Sequence, residues 1–194
     1  MIKILSFSLC LLTLFSNFLF ADSILEISEE YWNDIDTMNG RFKQVNEVGE
    51  IQYGDFYIQK PFRSLFEYDG QKEKILTSKF FINIVDENHY SIDSYPIINN
   101  PIKIILTNNL KIEEHFDFLS RETENQYILE MSKKDEPNKS ESIILYFNKS
   151  PIELKKWEIF NEFGDLTSLE FTKILKNIHI SQDKFVIHHN VGNE

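Results

Sequence analysis

The side chains best suited to bond-making chemistry are scattered and incomplete as sets. Five histidines are present, two of them adjacent as His188-His189, with His89, His115 and His179 as the only possible helpers for a metal. Neighbours in an extended chain point to opposite sides, and no short His/carboxylate spacing completes a ligand set, so no metal site is expected. Glu113-Glu114 and the Asp34/Asp36 pair could in principle do general acid–base work, but they read as solvated charges. A Gly-x-Ser-x-Gly nucleophile elbow is missing, and so is a glycine-rich phosphate loop. No catalytic residue and no cofactor are therefore assigned, and the protein is read as a non-enzyme.

Binding chemistry is written more clearly, in the stretch from Gly54 to Tyr68. Alternation puts Phe56 and Ile58 on one face of a strand, opposite Asp55, Tyr57 and Gln59. Past Pro61, Phe62, Ser64, Phe66 and Tyr68 share a face, while Arg63, Leu65 and Glu67 share the other, as in a sheet with one dry and one wet side. Pro61 has no amide hydrogen and holds Lys60 extended, so the Lys-Pro pair belongs at a strand end or bend. Lys60 and Arg63 are then expected to lie together, exposed, at an edge.

The elements that must position these residues follow from periodicity. An apolar run from Ile4 to Phe20 behind Lys3, with Ala21 at its end, reads as a secretory signal peptide over 1–21, leaving 22–194 as one domain. That domain would hold no cysteine, since Cys10 lies within the signal, and would rely on an ordinary core. The net charge is −11 for the chain, and −12 without Lys3. Such a surface argues against nucleic acid and against steady residence on an anionic membrane.

Ser23 to Glu26 forms a capping box ahead of an amphipathic helix carrying Ile24, Ile27, Tyr31 and Ile35, which should end near 37–40. From Gly40 the period becomes two, giving a meander through Ser94 with turns at Gly49, Asp69-Gly70, Ser78-Lys79 and Asp86 to Asn88. The meander is broken by a short helix that starts with Asn100 as cap and Pro101 in its first turn, and ends at Asn108 or Asn109. Ile102, Ile104, Ile105 and Leu106 surround Lys103 there, too apolar all round for a surface helix. It is either a core plug or a lid. Strands resume over 112–120, 127–131, 142–147, 154–160 and 166–175, with a polar hairpin loop from Lys133 to Glu141.

The order Gly54, Phe56, Ile58, Lys60-Pro61, Arg63, Phe66-Glu67-Tyr68, followed by the proline-led helix and the late Trp157 to Phe171 hairpin, resembles the outer-membrane lipoprotein carrier (LolA) family. Family members often have arginine before the proline and Asp-Gly where Ser78-Lys79 stands; here lysine keeps the charge but lacks the planar fork of donors. The resemblance implies a mainly β (α+β) fold: an incomplete antiparallel β-barrel with a highly curved sheet and an α-helical lid on its concave side. It implies a lipid-binding cavity drawing on Phe56, Ile58, Phe66, Tyr68, Ile102, Ile105 and Leu106, and partner docking at Lys60, Pro61 and Arg63. The partners implied are acylated lipoproteins, an inner-membrane lipoprotein-releasing transporter and an outer-membrane receptor, met by a periplasmic monomer without stable membrane insertion. A carrier of another amphiphile, such as a glycolipid, and a lipid hydrolase are the competing readings.

Overall fold

The structure is a computed structural model that describes residues 23–97, 102–134, 141–161 and 163–189, without the side chains of residues 102 and 104. The expected signal peptide, the Asn100-Pro101 helix start and most of the 133–141 loop lie outside the described residues.

Helix α1 runs over residues 23–33. It ends earlier than its periodicity suggests, because Thr37 to Gly40 are claimed by strand β1 (Thr37–Val45), which pairs on both sides. Strands β2 (Ile51–Gln59), β3 (Arg63–Tyr68), β4 (Lys74–Thr77), β5 (Phe81–Val85) and β6 (Ser91–Pro96) follow as a meander. Short helices α2 (Ile102–Ile105) and α3 (Ile112–His115) come next, then β7 (Phe116–Glu122), β8 (Gln126–Lys133), β9 (Ser142–Lys149), β10 (Ile152–Phe160) and β11 (Leu166–Lys176). The strand expected from Ile112 begins only at Phe116. Ile112 is buried in the core, and its own amide is held by Glu29 of α1, donating to Glu29 Oε1 at 2.6 Å.

All eleven strands form one antiparallel sheet in the order β6-β5-β4-β3-β2-β1-β11-β10-β9-β8-β7, left open between β6 and β7. The sheet is strongly curved. Phe66 on β3 and Trp157 on β10 stand four strands apart, about 19 Å in a flat sheet, yet their ring centroids are 6.4 Å apart. The concave face holds the main core, into which α1 inserts Tyr31 and Trp32, and the turn after it Ile35. Two glycines make the curved aromatic layer possible: a Cβ on Gly54 would lie 2.7 Å from the Phe42 ring, and one on Gly40 would meet the Lys173 carbonyl and the Phe56 ring.

The convex face is not uniformly wet. Leu65, placed on the wet side by alternation, is fully buried with Leu76 and Val85 beneath the C-terminal segment, which contributes Phe185 and Ile187. That segment includes a 3-10 turn, Gln182–Phe185, against β3.

Candidate functional site

A cavity of about 240 Å³ opens on the concave face between β3–β5 and β10–β11. Its walls are Phe66, Tyr68, Ile75 and Ile82 on one side and Trp157, Ile159 and Leu169 on the other, with Gln44, Thr77 and Thr167 as its polar members. No charged residue lines it. These walls follow from period-two alternation on a bent sheet: Phe66 pairs with Ile75 across β3–β4, and Trp157 with Leu169 across β10–β11. The Tyr68 hydroxyl donates to Gln44 Oε1 at 2.8 Å, and burial pushes its phenol pKa up, so it stays a neutral donor. Such a pocket can hold an uncharged tail, since an unpaired ion there would lose its hydration with nothing to replace it.

Of the residues assigned from sequence, Phe66 and Tyr68 line this cavity. Phe56 and Ile58 are fully buried in the core, where Phe56 packs edge-on to Phe171 at 5.0 Å. Ile105 and Leu106 are also fully buried in that core. Ile102 opens α2, and its side chain lies outside the described residues. Missed were Gln44, Ile75, Thr77, Ile82, Trp157, Ile159, Thr167 and Leu169. The alternation of Trp157 with Ile159 carried a signal, but linking it to Phe66 needs the curvature of the sheet.

The α2 segment closes the concave side and is fastened at several points. The Trp32 indole N–H donates to the Ile105 carbonyl, and the Phe62 amide donates to the Leu106 carbonyl at 2.8 Å. Asn33 grips Leu110 twice, accepting from its amide at 2.6 Å and donating to its carbonyl at 3.0 Å. None of these groups is ionic.

Lys60, expected at an exposed edge, is buried at 9% exposure in the interior β2–β3 hairpin. Its ammonium donates to the Trp32 carbonyl at 2.6 Å, at the C-terminal turn of α1 where a cation is favoured. Burial lowers its pKa, and the charge of Asp36 offsets part of that. The following peptide bond to Pro61 is cis, Phe62 has φ +65°, and the hairpin tip meets the segment after α2 through the Phe62 amide. Pro61 and Arg63 are exposed, and the Arg63 guanidinium bonds Gln182 of the C-terminal segment. Lys60 and Arg63 therefore leave the hairpin on different tasks.

His188 pairs with Tyr90 in an isolated parallel bridge, and His89 sits in the β5–β6 turn. Among the described residues no group of three metal-type side chains comes together, and no helix is long and apolar enough to cross a membrane.

No curated protein matches the sequence significantly. Among solved structures, the chain is similar to a LolA superfamily protein from Nitrosomonas europaea, at 11% identity and TM-score 0.45, covering 86% of this chain and 97% of that one. It is also similar to a DUF1329 family protein from Desulfovibrio piger, at 12% identity and TM-score 0.49, covering 86% and 97%. The Pseudomonas aeruginosa MucA/MucB complex matches at 13% identity and TM-score 0.47, over 86% of this chain and 60% of that one. The family model of the outer membrane lipoprotein carrier protein LolA matches residues 33–188, which takes in every strand, the concave cavity and its helical cover. On that match, the chain belongs to the LolA family.

Proposed function

We propose that this protein is a periplasmic carrier that takes the acyl chains of lipoproteins into the concave cavity and moves them, as a monomer, from an inner-membrane transporter to an outer-membrane receptor. The observation that carries this reading is the cavity between Phe66 and Trp157, apolar on both walls, free of charge and open to the outside. Residues 1–21 would direct export and be removed after Ala21. Each methylene drawn from water into the cavity gains about 0.8 kcal/mol, so affinity comes from chain length, with no covalent step.

At about 240 Å³ the cavity lies below the roughly 300–1,000 Å³ usual for small-molecule sites. Full loading thus calls for α2 to move aside, with Ile102, Ile105 and Leu106 exchanging their contacts for acyl chains. Phe56 and Ile58 would line the enlarged space. Release of that cover is the part assigned to Lys60, which braces the Trp32 carbonyl, while exposed Pro61 and Arg63 serve docking.

Mass spectrometry of molecules co-purified from the periplasm tests the reading. Acylated lipoproteins should dominate, and Trp157→Asp should abolish their recovery. Recovery of a glycolipid instead, or of nothing acylated, would overturn it.

A further inference from the structure

Phe185 and Ile187 of the C-terminal segment cover Leu65, Leu76 and Val85, and a continuous line of polar contacts ties the segment down at two points. At one end Lys184 Nζ meets Glu67 Oε2 at 2.9 Å and lies over the Tyr57 ring at 4.2 Å. Glu67 Oε1 receives Lys74 Nζ of β4 at 3.0 Å, and Lys74 Nζ reaches His89 Nε2 at 3.2 Å. At the other end His89 Nδ1 meets the Val186 carbonyl at 3.1 Å, and the His89 carbonyl accepts the His188 amide at 2.8 Å. The contact line thus leaves the segment at Lys184 and rejoins it at Val186.

The partners fix the state of the imidazole. A carbonyl can only accept, so Nδ1 carries the proton, and Nε2 offers its lone pair to the Lys74 ammonium. Protonating Nε2 would set a donor against a donor and a cation against a cation at 3.2 Å. The other charges around the ring do not cancel this. Glu67 is already shared by Lys74 and Lys184, and Glu87 faces Lys72 at 3.7 Å while its carbonyl accepts from Lys74. The Asp86 carboxylate accepts the Asn88 and Tyr90 amides within the turn, and His188, its ring tilted at 42° to that of Tyr90, adds no negative charge.

We propose that residues 178–189 form a pH-gated strap, closed while His89 is neutral and released from the sheet, uncovering Leu65, Leu76 and Val85, when Nε2 gains a proton.

Burial, and then the charge of Lys74, hold the His89 pKa below its ordinary value. Burial by itself would raise the Glu67 pKa, but its bonds to Lys184 and Lys74 more than offset this and lower it, so Glu67 stays a carboxylate as His89 titrates. The sign follows from linkage. Releasing the strap removes burial, the largest cause of the lowering, and the Lys184 charge; it also removes the Val186 carbonyl bond, a smaller effect that favours the proton, so the open form binds the proton more readily. The contribution to closure is complete above the His89 pKa of the open form and is lost as the pH falls through the lower pKa of the closed form.

Hydrogen exchange of the full mature chain, read by mass spectrometry at neutral and mildly acidic pH and corrected for intrinsic rates, tests this. Strap amides should lose roughly tenfold in protection for each pKa unit between closed and open forms, while β1 and β2 keep theirs. His89→Gln, which cannot titrate, should remove the pH dependence. Lys74→Met, which removes the opposing cation, should hold the strap closed at acidic pH and covers the case in which His89→Gln does not fold. Unchanged strap protection in the natural chain, or release at the same pH in either variant, would overturn the proposal.

Discussion

Two short segments cover the two faces of the same sheet, and they are held by different forces. On the concave side the segment from α2 to Leu110 buries Ile105 and Leu106 completely and is fastened by neutral hydrogen bonds to Trp32, Asn33 and Phe62. On the convex side the 178–189 segment half-buries Phe185 and Ile187 and, besides the His188 backbone bridge and the Arg63–Gln182 bond, is fastened by Lys184–Glu67 and by the Lys74–His89 line. An apolar cover responds to an apolar competitor, and an ionic one responds to salt and protons. The concave cover is therefore suited to being displaced by cargo, and the convex one to sensing the solution.

The contrast can be broken first by truncation. Ile105→Ala should cost about 2–5 kcal/mol of unfolding free energy, and Ile187→Ala about 1 kcal/mol, typical of a partly exposed site. Urea denaturation of both variants measures this, and equal losses would erase the distinction between covers.

Lys60→Met comes next. It leaves the Trp32 carbonyl without its charged partner, for an expected loss of about 1–3 kcal/mol, whereas Arg63→Ala on the exposed side of the same hairpin should stay within about 0.5 kcal/mol. A neutral Lys60→Met would mean that the buried ammonium is not bracing α1.

Trp32→Phe removes one neutral bond to the cover, the indole N–H to the Ile105 carbonyl. Stability should fall by about 0.5–1.5 kcal/mol, and a fluorescent acyl probe should load faster in stopped-flow mixing. Slower or unchanged loading would make α2 a fixed plug.

The smallest effect sharpens the ionic side. The Glu67 pairs are partly exposed, worth at most about 1 kcal/mol, so raising salt to about 1 M, where screening acts within about 3 Å, should loosen strap amides severalfold and leave 105–112 untouched. Equal loosening of both segments would contradict the division.

Sequence alternation was enough to place the meander, the helical interruption and two cavity residues, because burial on one face of a strand is a local property of Phe66 and Tyr68. It could not place what depends on curvature. Trp157 and Leu169 become cavity walls only because the sheet brings β10 back over β3. Leu65 looked solvated because its cover comes from residues more than a hundred positions later. Lys60 looked like a surface charge because its acceptor is a backbone carbonyl at the end of α1, and a carbonyl leaves no mark in the sequence. Ile112 fits a strand on sequence grounds because an apolar residue beside two glutamates suits either period; the Glu29 carboxylate on its amide belongs to the turn that forms instead.

The most direct measurement of the carrier claim places a photo-crosslinking benzoylphenylalanine at Ile75, in the cavity, and at Tyr53, which is 49% exposed and points to the convex side. Cells fed labelled palmitate are irradiated and the protein is recovered. Labelled lipoprotein attached through position 75 and not through position 53 is the result predicted; equal labelling at both positions, or none at 75, would contradict an acyl-binding concave cavity.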